Sequence, residues 1–280
     1  MVFLFLTSLV VAGVGTASAQ DDEPELGWSE TAELTVVFTG GNAEASTLGF
    51  RNQLARTWEN ATFVFDAGAL RAESATISRS AVGASPADFQ VTKDSVSALT
   101  AESYYARGKY DRDINDRTFW YTGAGWERNT FAGFANRSSV GGGLGNTWVD
   151  DDRATFKTAY GLTVTRQDNL VGLDTTSAGL RLSYDYRRQV TSNTEFTSVL
   201  VADENLDETG DFRTDLINAV AVSMTSQLAL KVSWQLLYDR QPSLIELPLF
   251  GLGGLPSGDT VFATLDEVDN LVTFALVASF

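Results

Sequence analysis

Apolar and polar residues alternate along this chain with period two, most clearly in its last ten residues. There every even position is apolar (Val272, Phe274, Leu276, Ala278, Phe280), while the odd positions include Thr273 and Ser279. That spacing is the geometry of a strand whose faces meet different surroundings. Twelve strand-like segments can be read: 28–39, 48–58, 63–72, 96–107, 117–128, 139–149, 155–165, 177–187, 195–203, 212–224, 228–239 and 268–280. In the eighth, Ala178, Leu180, Leu182, Tyr184 and Tyr186 alternate with Gly179, Arg181, Ser183, Asp185 and Arg187. The eleventh sets Leu228, Leu230, Val232, Trp234, Leu236 and Tyr238 against Lys231, Ser233, Gln235 and Asp239.

Links after even-numbered segments are short and polar. Those after odd-numbered segments are longer: 74–95, 129–138, 166–176, 204–211 and 240–267, with the link 40–47 only moderately long. The asymmetry predicts a barrel with tight periplasmic turns and long external loops, and an even strand number puts both termini on the periplasmic side. No stretch after the N-terminal segment approaches the roughly 18 apolar residues a spanning helix needs. A closed barrel crosses with alternating strands of roughly 9–11 residues instead. The expected fold is all-β, a closed antiparallel transmembrane β-barrel of about twelve strands. Aromatics fall near the expected strand ends, with Trp28, Trp58, Trp148, Tyr186 and Phe196 at one border and Phe38, Phe212 and Tyr238 at the other. Rings at the headgroup layer give that pattern; core aromatics of a soluble sandwich are the competing reading.

Residues 2–14 are almost wholly apolar and lead to Ala17-Ser18-Ala19, a small-x-small pattern. This reads as a signal peptide over 1–19, cleaved after Ala19, with the barrel domain over 20–280. The basic residues that usually open such a signal are missing, which places the natural start upstream of Met1.

Composition narrows the chemistry. The chain has no Cys and no His, and its formal charge is −16. Without His, a Ser activated by imidazole is closed, and the commonest neutral metal ligand is gone. The negative charge argues against nucleic acid. Carboxylates are abundant but dispersed, so no enzyme, cofactor or metal is expected, and no catalytic residue is assigned.

Several short stretches resemble one family. Gly27-Trp28-Ser29, Ala32-Glu33-Leu34, Thr39-Gly40-Gly41-Asn42, Ser46-Thr47-Leu48 and Arg56-x-Trp58 look like its opening, and Tyr238-Asp239-x-Gln241-Pro242 with 269–280 like its end. It is the outer-membrane family called domain of unknown function 481, often labelled salt-induced outer membrane protein. The resemblance implies an outer-membrane location, a barrel, and a tie to salt or osmotic stress, with no established substrate. The terminal Phe280 resembles the signal read by the barrel-assembly machinery. Outer-membrane lipid, that machinery and small solutes are the implied partners.

If the alternation holds, Glu33, Arg51, Asp66, Glu102, Lys157, Arg181, Asp185, Arg187, Arg213, Asp215, Lys231 and Asp239 point into the lumen, as do Arg117, Glu127, Glu195 and Asp203. Charges there require water or partner charges. Two readings stay open: a narrow polar pore, or an ion-pair network that fills a structural barrel whose external loops do the binding. The acidic stretch 203–211 offers oxygen donors without the full spacing of a calcium loop. Gly141-Gly142-Gly143-Leu144-Gly145 is no phosphate loop and suits curvature or close approach of side chains. The apolar segment 244–255 either narrows the mouth or touches lipid.

Overall fold

A computed structural model describes residues 26–39, 44–85, 88–250 and 256–279. The expected signal segment 1–19 and the terminal Phe280 lie outside them. In chain order the elements are β1 Gly27–Thr39, β2 Glu44–Trp58, β3 Ala61–Ser85, β4 Asp88–Asn115, β5 Thr118–Asn129, a 3₁₀ turn Thr130–Ala132, β6 Phe134–Asp151, β7 Ala154–Asn169, β8 Thr175–Thr191, β9 Thr194–Asn205, β10 Phe212–Ser223, β11 Leu228–Asp239, β12 Leu244–Phe250, β13 Pro256–Thr264 and β14 Val268–Ser279. Twelve of these strands pair antiparallel in chain order from β1 to β11; β14 follows β11 and closes on β1. Closure leaves no sheet edge, so every ladder is satisfied without water.

The outer face is apolar and exposed, whereas the inner face is polar and buried. Leu162 is 61% exposed and Phe274 65%, while Asp66 is 1% exposed and Asp215 3%. A water-soluble domain has the reverse polarity. A lipid belt is what covers such a face, and a closed antiparallel barrel wearing one is an outer-membrane architecture. Aromatics border the belt. At the end with the tight turns, the Arg56 guanidinium lies 5.1 Å from the rings of both Trp28 and Trp58. Trp58 continues through Tyr110 to Trp120, and Phe156, Tyr186 and Phe196 make a second chain.

Asx turns shape the tight-turn end. Asn115 accepts from the Arg117 amide at 3.0 Å, and Asp151 from the Arg153 and Ala154 amides at 2.9 and 2.8 Å. Each side chain thereby replaces a backbone acceptor at a two-residue link. Arg117 consequently sits in a turn, exposed, and does not enter the lumen.

Two expected loops are strands. The ladder of β3 and β4 continues from Glu73↔Leu99 to Ser85↔Asp88, across the expected loop 74–95. That stretch is rich in Ser, Thr and Ala with no one-sided alternation. A ribbon surrounded by water needs none, so period-two hydrophobicity could not report it. Within 240–267, β12 and β13 form a separate two-stranded sheet.

Candidate functional site

The lumen wall is built on a recurring pairing. Directly across their ladders, Arg51 faces Gly68, Arg107 faces Gly125 and Arg181 faces Gly161. Gly68 also faces Tyr105, and Gly145 faces Phe119. A Cβ added at Gly68 would stand 2.5 Å from the Tyr105 ring. Gly68, Gly125 and Gly145 are recesses against which the Tyr105, Arg107 and Phe119 side chains lie along the wall. Close approach at Gly145 therefore comes from the adjacent strand, not from across the lumen.

These side chains join into a polar belt. Lys231 Nζ lies 2.7 Å from Glu33, and Glu33 lies 3.9 Å from Arg51. Arg51 grips Asp66 with two bonds, at 2.9 and 3.0 Å. The Tyr105 hydroxyl donates to Asp66 at 3.3 Å, and the Arg107 guanidinium lies 4.5 Å from the Tyr105 ring. Arg107 and Arg137 then share Glu127 at 3.1 and 3.0 Å, and Arg137 donates to Gln167 at 2.7 Å. The belt runs from β11 through β1, β2, β3, β4, β5 and β6 to β7. On the remaining arc, Arg181 holds Asp203 with bonds of 2.7 and 2.9 Å, and Arg213 lies between Asp211 and Asp239 at 3.0 and 3.5 Å. Among the described residues, each ion pair joins one strand to itself, to its neighbour, or to the next strand but one. None crosses the barrel.

Of the residues predicted to face the lumen, Glu33, Arg51, Asp66 and Lys231 line one mid-barrel cavity. Arg181, Arg213, Asp215 and Asp239 line a vestibule open to solvent at the loop end. Lys157 stands opposite Asp185, and Arg187 donates to Thr155 at 3.4 Å, nearer the tight turns. Glu102 is the exception. It pairs across the ladder with Arg71 on the outer face, 3.7 Å away, while Ala101, Ser103 and Tyr105 occupy the inward positions. The register of β3 and β4 shifts between Ala72 and Glu73, leaving Thr100 without an opposite residue. A bulge of this kind breaks the alternation on which the inward assignment rested. Arg107, Arg137 and Gln235 were not singled out. Arg137 fell in an expected loop, whereas Arg107 has the opposite parity to Glu102, so the alternation that turned Glu102 inward turned Arg107 outward.

In the acidic stretch, Asn205 bonds Asp211 at 3.0 Å, Asp207 accepts from the Ala178 amide at 2.7 Å, and Arg213 binds Asp211. Asp203, which Arg181 holds, Asp207 and Asp211 are thus occupied by the protein itself. No group of three potential metal ligands occurs among the described residues.

The loop end is narrowed by a contact across the mouth. Gly133 ends the 3₁₀ turn with φ 82°, and a Cβ there would collide with Ser243 and meet Leu265 at 3.7 Å. The turn is anchored: Asn129, fully buried, accepts from the Ala132 amide at 3.0 Å, and the Leu170 amide donates to Gly133 at 2.9 Å. Ser243 follows β11, five ladders away from β6. Toward the tight turns, Phe119, Tyr121 and Val199 are buried.

The chain is similar to known proteins in two ways. A family profile described as "Protein of unknown function, DUF481" matches residues 32–244. Among solved structures, the NanC porin aligns over 89% of this chain and 98% of its own, at 11% identity and a TM-score of 0.47. The translocator domain of the autotransporter NalP from Neisseria meningitidis aligns over 92% and 90%, at 12% identity and 0.46. An anion-selective porin from Comamonas acidovorans aligns over 90% and 98%, at 10% identity and 0.40. Comparison with curated protein sequences gives no match.

Proposed function

The chain belongs to the DUF481 family of proteins of unknown function, and we propose that it is a narrow, non-enzymatic outer-membrane pore for ions and small solutes. The observation that carries the reading is the course of the polar belt. Its ion pairs run along the wall and bridge no opposite strands among the described residues. Charges held along the wall border two cavities and do not bridge across them, which suits a conduit better than a filled barrel. The tight-turn end then faces the periplasm and the loop end the exterior. The lumen carboxylates serve ion pairs, and the sequence has no imidazole to run acyl transfer. Purified protein in planar lipid bilayers tests the proposal. Discrete unit currents are expected, and a trace flat at the lipid baseline overturns it. An envelope role under salt or osmotic stress fits such a conduit. It predicts slower recovery from a salt upshift when the gene is deleted.

One observation favours a second reading, a closed barrel that acts through its loops: Gly133 presses on Ser243 across the mouth. A wild-type protein silent in bilayers that conducts once 243–265 is replaced by a short linker would decide for it.

A further inference from the structure

The vestibule is unbalanced in charge. Nine carboxylates line it, against four guanidiniums. The four arginines are each committed, Arg107 and Arg137 to Glu127, Arg181 to Asp203, and Arg213 to Asp211 and Asp239. Those pairs occupy four carboxylates. The other five, Glu204, Asp215, Asp266, Glu267 and Asp269, have no Lys or Arg nitrogen within 4.0 Å among the described residues. Farther in, the mid-barrel cavity carries no acidic excess: Arg51, Arg107 and Lys231 stand against Glu33 and Asp66, with Arg107 bound to Glu127.

Asp215 is an independent pointer. It is 3% exposed, lies on the vestibule wall, and is held there by a single amide: Gln235 Nε2 donates to its two oxygens at 2.9 and 3.0 Å. A dipole of that kind orients a carboxylate without neutralising it. The nearby Arg107 is already bound to Glu127. A carboxylate withdrawn from bulk water and lacking a counter-charge either takes up a proton or draws a cation to itself. We infer that the vestibule is a cation-concentrating antechamber and that Asp215, oriented by Gln235, is a selectivity-determining residue at its floor. The solutes passed are small cations, inorganic or organic, in preference to anions. Acid-lined mouths with low-dielectric walls focus the field and raise the local concentration of opposite charge, the logic of carboxylate rings in cation channels.

The inference rests on the pore reading, and one experiment separates the two. Reversal potentials are measured in planar bilayers across a potassium chloride gradient, with folding of each variant checked by heat-modifiable migration in detergent gels. Wild-type protein is expected to pass potassium over chloride. Asp215→Asn, which keeps the shape and one of the two Gln235 contacts, lowers that ratio by about twofold or more, the scale of one partly screened charge. The triple variant Asp266→Asn, Glu267→Gln, Asp269→Asn lowers it as well. Asp152→Asn, in a tight turn at the opposite end, leaves it unchanged. Currents that favour chloride, or a ratio unmoved by both vestibule variants, overturn the inference and leave the pore standing. Absence of any unit current overturns the pore itself.

Discussion

Lys231 and Glu33 are bonded at 2.7 Å although their strands are not neighbours: β14 runs between β11 and β1, and Lys231 reaches over it. Ala275 faces Lys231 across the β11–β14 ladder and is small enough to be overlain. The bond straddles the closing seam, where β1 and β14 pair only from Thr31↔Ser279 to Leu34↔Leu276 among the described residues. Most of the other ladders run for eleven pairs or more.

Loss of this brace is expected to weaken closure. Lys231→Met should cost about 2 kcal/mol, since it leaves a mostly buried carboxylate without its closest cation. The temperature at which the compact band disappears from detergent gels measures it. An unchanged temperature would mean that the four backbone pairs hold the seam unaided.

Gly68 is expected to tolerate no side chain. Gly68→Ala puts a methyl into the Tyr105 ring and should destabilise by about 1–3 kcal/mol, as overpacking does elsewhere. Combining it with Tyr105→Leu should restore part of the loss in thermal denaturation. Failure of that rescue would show that the glycine serves the backbone and not the ring.

Phe274 lies in the middle of the outer belt. Phe274→Arg should destabilise the barrel in lipid by about 2–4 kcal/mol, the cost of a cation at the bilayer midplane. Urea titration in vesicles, followed by tryptophan fluorescence, reads the difference. A cost near zero would argue that this face does not meet lipid.

Gly133 and Ser243 can be tied together, because the native chain contains no cysteine to compete. The double variant Gly133→Cys, Ser243→Cys should cross-link under mild oxidation and migrate faster before reduction. The two Cβ positions are closer than the roughly 3.5–4.5 Å a disulfide spans, so the loops must part slightly, and the positive φ at 133 adds about 1–2 kcal/mol of strain. If the mouth contact gates the pore, oxidation lowers the conductance and reductant restores it. Equal currents in both states would remove the contact from any gating role.

Much of the architecture was legible in the residues alone. The alternation around Arg181, Asp185 and Lys231 gives both a strand and its facing, because lipid on one side and a polar interior on the other leave opposite demands. Glu102 shows where this ends. Near the strand ends the outer face meets headgroups and water, so a charge there no longer marks the interior, and the bulge at Thr100 resets the count. The Arg–Gly pairings were hidden for another reason. They depend on register between strands, and neither member reveals which residue stands opposite. The contact of Gly133 with Ser243 is equally remote, since it joins two loops separated by more than a hundred positions.

The ribbon formed by β3 and β4 continues after both strands leave the wall: β2 last pairs at Ala75, and β5 first pairs at Ser103. The ten residues from Thr76 to Ser85 reach roughly 30 Å beyond it at the rise of an extended chain. Such a mast would carry its tip well away from the barrel wall. A peptide tag spliced in at 86–87 would then be held out to antibodies or phage on living bacteria, leaving the barrel beneath untouched.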